Sequence, residues 1–91
     1  MKGSEIRKRY VLVYSSSLDS VLRQMDSNLT KLGCKRKFRN NFYAIYLANQ
    51  YNRDDVIDSI NMIDNVRTII TSGTIKKCKD VMNEDIKRNS V

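Results

Sequence analysis

Asp54, Asp55 and Asp58, close together in "NRDDVID", are the residues of this 91-residue chain best suited to hold a divalent cation, because magnesium takes carboxylate oxygens. They open a segment of helical period, where acids are also favoured by the positive end of the helix dipole, and that structural role is the expected one. The chain has no histidine and no tryptophan, and it shows neither a glycine-rich phosphate loop nor a serine nucleophile elbow. Most routes to acid–base, nucleophilic and zinc chemistry are thereby closed. Cys34 and Cys78 stand far apart and in no Cys-x-x-Cys spacing, so two reduced, buried thiols are expected, without a metal or a disulfide. Neither an enzyme nor a cofactor is indicated.

A second set of residues suits binding. "RNNFYAIYL" (Arg39 to Leu47) sets three aromatic rings beside two asparagines and an arginine, just after the basic run "KRK". Lys and Arg number 17 against 10 Asp and Glu, a net charge of +7, which favours polyanionic partners. The cations gather in the N-terminal segment (Lys2, Arg7, Lys8, Arg9), around the basic run (Lys35, Arg36, Lys37, Arg39) and in the tail (Lys76, Lys77, Lys79, Lys87, Arg88). Most acids fall in the two segments of helical period.

The elements that must position these residues follow from periodicity. "RYVLVYSSS" (Arg9 to Ser17) alternates and is rich in Val and Tyr, predicting a strand that ends in a serine cluster. In "SLDSVLRQMDSNLTKLG" the apolar residues Leu18, Val21, Leu22, Met25, Leu29 and Leu32 recur every three or four positions, predicting a helix. Ser16 with Asp19 gives it a capping signature, and Gly33 a stop. "CKRKFR" and "FYAIYLAN" read as two strands around Asn40-Asn41, a pair that tolerates left-handed backbone in a hairpin. "NRDDVIDSINMIDN", with Val56, Ile60 and Ile63 on one face and Asn52 as cap, reads as a second helix, and "VRTIITSG" as a fourth strand. In the charged tail, Ile75, Cys78, Val81 or Met82, and Ile86 keep helical spacing, enough for a short third helix docked on the body.

Strand, helix, strand, strand, helix, strand is the order of the ferredoxin-like plait (βαββαβ), an α+β fold with a four-stranded antiparallel sheet and both helices on one face. The expected division is a basic tail over 1–8, the domain over 9–74 and a charged C-terminal segment over 75–91. "MKGSEIRKR" lacks the apolar run of a signal peptide, and no stretch approaches the roughly 18 apolar residues of a membrane helix. A cytoplasmic protein that binds no membrane is expected.

Side chains alternate along a strand. Val11 and Val13 therefore oppose Tyr10, Leu12 and Tyr14, while Tyr43, Ile45 and Leu47 oppose Phe42, Ala44 and Tyr46. Assigning the aliphatic sets Val11, Val13, Ile45 and Leu47 to the core leaves Tyr10, Tyr14, Phe42 and Tyr46 on the face that the two helices do not cover, a face open to a ligand or else covered by the C-terminal segment or another subunit. Such a face can stack unpaired bases, with Tyr14 and Tyr46 as the platform and Lys35, Lys37 and Arg39 on the phosphates. Arg36 on the edge strand and Arg7, Lys8 and Arg9 at the N-terminus complete the basic rim.

In "VYSSSL" (Val13 to Leu18), with Tyr14 in the stacking position, the chain resembles the first of the two short motifs of RNA-recognition-motif proteins. That resemblance implies a single-stranded or RNA partner held on the sheet. The glycine of the second motif has no counterpart in "RNNFYAIYL", so the likeness is one of surface. "YVLVY" is similar to the first strand of small plait nucleases of the CRISPR-associated second-protein type. Those carry a metal-binding Asp at the strand's end, where this chain has Ser15 and Ser16, and their activity is not carried over.

The expectation is a small non-enzymatic nucleic-acid-binding accessory protein. The alternative is a protein-binding inhibitor or adaptor, of the kind phages and mobile elements use, that docks on a protein target or forms a homodimer through the same sheet face.

Overall fold

In the computed structural model, which describes residues 7–89, the alternating β-branched and aromatic run forms β1 (Lys8–Tyr14). The basic tail expected over 1–8 lies outside the described residues except for Arg7 and Lys8, and Lys8 already belongs to the strand. The serines assigned to this strand lie beyond it. Ser15 is buried and its Oγ accepts a hydrogen bond from the Ser17 amide at 3.1 Å, a side-chain turn that ends the strand. α1 (Leu18–Lys31) then starts from Ser17 rather than Ser16, with no side-chain capping bond. It stops as expected at Gly33, whose φ of 84° lies in the left-handed region that glycine enters without strain.

β2 (Lys35–Arg39) and β3 (Tyr43–Asn49) form the hairpin. The positive φ expected at Asn40-Asn41 is absent. The Asn40 side-chain oxygen accepts from the Phe42 and Tyr43 amides at 3.0 and 2.8 Å, and its backbone amide donates to the Tyr43 carbonyl at 2.8 Å. A side-chain turn of this kind shapes the loop without a left-handed residue. Asn65, before β4, is the non-glycine residue with positive φ among the described residues, at 68°.

α2 (Arg53–Asn61) begins after Asn52, as expected. The Asn52 side chain reaches past its own helix. Its oxygen accepts from the Asn49 amide and its nitrogen donates to the Leu32 carbonyl, both at 2.9 Å, which ties the end of α1 to the start of α2. β4 (Arg67–Ser72) and α3 (Ile75–Asn89) complete the chain.

The result is an α+β fold with a four-stranded sheet in the order β2-β3-β1-β4, every neighbouring pair antiparallel. α1 and α2 close one face over Val11, Val13, Ala44 and Tyr46, using Leu18, Met25, Leu29, Val56 and Ile60. α3 closes the other face, placing Cys78 and Met82 on Leu12, Tyr43 and Ile45, with Tyr10, Tyr14, Phe38, Ile69 and Ile70 partly buried around them. No helix among the described residues is long and apolar enough to cross a membrane.

Two expectations are corrected here. The alternation along β3 is right, but its faces are exchanged. Val11 stands opposite Tyr46 and Val13 opposite Ala44, and directly opposed residues share a face. Tyr46 therefore belongs under α1 and α2, whereas Ile45, and Leu47 opposite Tyr10, belong on the α3 side. Nor is the α3-side face open. Leu12, Ile45 and Tyr43 would form a contiguous apolar patch of a kind that seldom stays bare, and the helical stripe Ile75, Cys78, Val81 and Met82 covers it.

Candidate nucleic-acid interface

One end of the sheet gathers aromatic side chains. β1 ends at Tyr14, which pairs with Tyr43 at the start of β3 and with Arg67 at the start of β4. The Tyr14 ring lies 5.1 Å from that of Tyr43 and 6.4 Å from that of Phe42, both tilted, and the Arg67 guanidinium sits 5.0 Å over its centre. Tilted rings and a cation over a ring face are favourable contacts of the aromatic quadrupole. Phe42 remains 47% exposed. Two cavities flank this cluster: one of about 280 Å³ between Tyr14, Ser16, Asn65 and Arg67, and one of about 450 Å³ along Ser16 to Ser20, Asn41 and Phe42. The Tyr43 hydroxyl donates to Asp85, and the Asn40 side-chain amide donates to the Met82 sulfur at 3.5 Å. Both contacts hold the later turns of α3 to this end, so Lys87 and Arg88 follow close by.

Of the residues expected to form the platform, the structure brings Tyr14 and Phe42 together and separates the other two. Tyr46 is 1% exposed, and its hydroxyl donates to Asp26, whose other oxygen takes Arg36 at 2.5 Å. Burial first, then the bond to and charge of Asp26, push the Tyr46 phenol well above its ordinary pKa, against a smaller opposing effect of Arg36. A ring so enclosed offers no face to a base. Tyr10 lies at the opposite end of β1, partly buried under α3, and its carbonyl accepts from the Cys78 thiol at 3.5 Å.

The basic residues divide as well. Arg36 and Arg39 turn toward α1, where Arg39 meets Asp19 at 2.6 Å. Lys35 and Lys37 are exposed and in no ion pair among the described residues. Arg7, Lys8 and Arg9 stand at the far end of the sheet from Phe42, with the Arg9 guanidinium donating to the Lys8 carbonyl at 3.0 Å. Sequence reasoning missed Arg67, Tyr43 and Asp26. Each acts through a cross-strand or helix–sheet pairing that only the register discloses.

Charge separates by layer. α1, α2 and the loop after them hold six acids (Asp19, Asp26, Asp54, Asp55, Asp58, Asp64) against Arg23, Lys31 and Arg53. The strands, α3 and Arg7 just before β1 hold the other described cations, against Asp80, Glu84 and Asp85. Asp54 pairs with Arg53 at 3.3 Å, and no three acidic or thiol groups converge on a possible cation position among the described residues. Cys34 and Cys78 are free and buried, and burial pushes both thiols above their ordinary pKa. Thiols in that state are poor nucleophiles.

Compared with known proteins, the chain matches no protein-family profile, no curated protein and no solved structure.

Proposed function

We propose that this protein is a small, non-enzymatic nucleic-acid-binding accessory protein that acts in the cytoplasm, built as a ferredoxin-like plait with a third helix laid across its second face. An unpaired strand, RNA or single-stranded DNA, binds at the Phe42 end of the sheet. The observation that carries this reading is the half-exposed Phe42 ring beside Tyr14, whose own ring lies under the Arg67 guanidinium. A base needs an accessible π-face with cations near enough for its phosphates, and an intact duplex offers no free base to stack. Arg67 over Tyr14, and Lys87 and Arg88 just beyond Asp85 on α3, supply the cations at this end of the sheet. α3 occupies the sheet face through which an inhibitor or adaptor was expected to dock, which leaves accessible rings at the ends of the sheet, Phe42 at one and Tyr51 after β3 at the other, and only Phe42 has beside it a second ring, itself under a guanidinium, among the described contacts.

Fluorescence anisotropy with labelled single- and double-stranded RNA and DNA at several salt concentrations tests the reading. Single strands bind more tightly than duplexes, and log affinity falls with log salt by ~0.7 per phosphate contacted. Phe42→Ala costs ~1–3 kcal/mol of binding. Absence of binding at low salt, or affinity unchanged in both Phe42→Ala and Arg67→Ala, rejects it.

A further inference from the structure

The two open edges of the sheet are built differently. β2 sets four cations in five residues along one edge, a device that discourages a strand from pairing with another chain. β4 carries one charge, at Arg67. Thr68 to Ser72 is uncharged and almost wholly β-branched, and no strand lies beside its outer edge among the described residues.

β4 also has an internal symmetry that its bulge creates. Leu12 pairs with Ile70 and Val13 with Thr68, which leaves Ile69 as an extra residue, and Ile69 and Ile70 both join the α3-side cluster. Thr68, opposite Val13, and Thr71, opposite Val11, take the α1–α2 side, whereas Arg67, opposite Tyr14, and Ser72, opposite Tyr10, take the α3 side. Counted outward from the middle of the strand, the faces run in the same order in both directions. In an unbulged strand, a two-fold axis between two residues would set each residue against one from the other face. Here every facing pair matches.

We propose that the protein forms a homodimer by antiparallel pairing of β4 with β4 of a second copy, about a two-fold axis between Ile69 and Ile70, joining two sheets into one of eight strands. Ile69 then lies beside Ile70 of the second copy, Thr68 beside its Thr71, and Arg67 beside its Ser72. The isologous contact gains Ile–Ile and Thr–Thr cross-strand pairs and sets no cation against another. The dimer does not depend on the nucleic-acid reading, and salt separates the two. Each copy carries +7, so screening strengthens self-association, whereas it weakens binding to phosphates.

Sedimentation velocity over a range of protein and salt concentrations is the test, with circular dichroism confirming the fold of each variant. The wild-type chain shows a monomer–dimer equilibrium that tightens with salt. Thr68→Lys/Thr71→Lys sets like charges together at both symmetric positions and raises the dissociation constant about tenfold. Thr68→Lys/Thr71→Glu sets opposite charges there and restores dimerisation. A wild-type chain that stays monomeric at every concentration overturns the proposal without recourse to any variant, and so does a dimer that both double variants leave unchanged.

Discussion

Under α1 and α2, the sheet presents Val11, Val13, Ala44 and Tyr46, and the helices return Met25, Leu29, Val56 and Ile60, so that each of these is almost wholly removed from water. Across the same strands, α3 alone covers Leu12, Ile45 and Tyr43 and leaves Tyr10, Tyr14 and Phe38 only partly buried. The first face holds the larger part of the hydrophobic stabilisation, which scales with apolar area removed from water. The second is closed just enough to prevent an open apolar patch, while at the end of the sheet Tyr14 stays partly buried and Phe42 half-exposed. One sheet thus has a sealed face and a looser one, set by the number of helices laid on each side.

The sharpest way to break that comparison is truncation. Leu29→Ala, beneath two helices, costs ~3–5 kcal/mol in urea unfolding, and Met82→Ala, under the single helix, falls near the lower end of the ~2–5 kcal/mol range for such substitutions. Equal losses would mean that both faces carry the fold alike. The Phe42→Ala binding loss given above comes next, and the same variant shifts unfolding by only ~0.5 kcal/mol, because the ring is half in water. A large loss of stability there would make Phe42 a core residue.

Tyr46→Phe is a smaller change, about 1 kcal/mol, removing one buried hydroxyl while leaving Asp26 its pair with Arg36. It also carries a pH signature. An unfolded tyrosine ionises near pH 10, whereas folded Tyr46 keeps its proton to higher pH. Its contribution to stability is therefore complete below about pH 10 and is lost as pH rises beyond that. The wild type should lose stability through this alkaline range more steeply than Tyr46→Phe, and parallel curves would show the phenol to be unperturbed. Smallest is Lys79→Gln, which removes a cation 4.8 Å from the Phe38 ring and should cost ~0.5 kcal/mol on the α3 face.

The order of elements was legible because each has a clear period and a punctuating residue, Gly33 and Asn52 among them. The side of the sheet to which β3 turns its tyrosines was not. Alternation divides Tyr43, Ile45 and Leu47 from Ala44 and Tyr46 without saying which set meets α1, and preferring aliphatic residues for the core overlooked that a buried tyrosine needs only one partner for its hydroxyl. Asp26, beside Met25 on α1, is that partner. The third helix was visible in the spacing of Ile75, Cys78 and Met82, but its docking on the aromatic face depends on the apolar area that face would otherwise expose, a tertiary quantity. The candidate site at the end of the sheet was half legible: Tyr14 and Phe42 came from alternation along the strands, whereas Arg67 required the register of β1 with β4.

Asn52 stands where either Asn or Asp commonly begins a helix. In this fold the two are not interchangeable. The side chain uses both of its ends, accepting from the Asn49 amide and donating to the Leu32 carbonyl. A carboxylate has no proton to give, so slow hydrolysis of this one amide would turn a joint between two helices into two acceptors facing each other. The durability of the α1–α2 layer is thus tied to the chemical age of a single side chain.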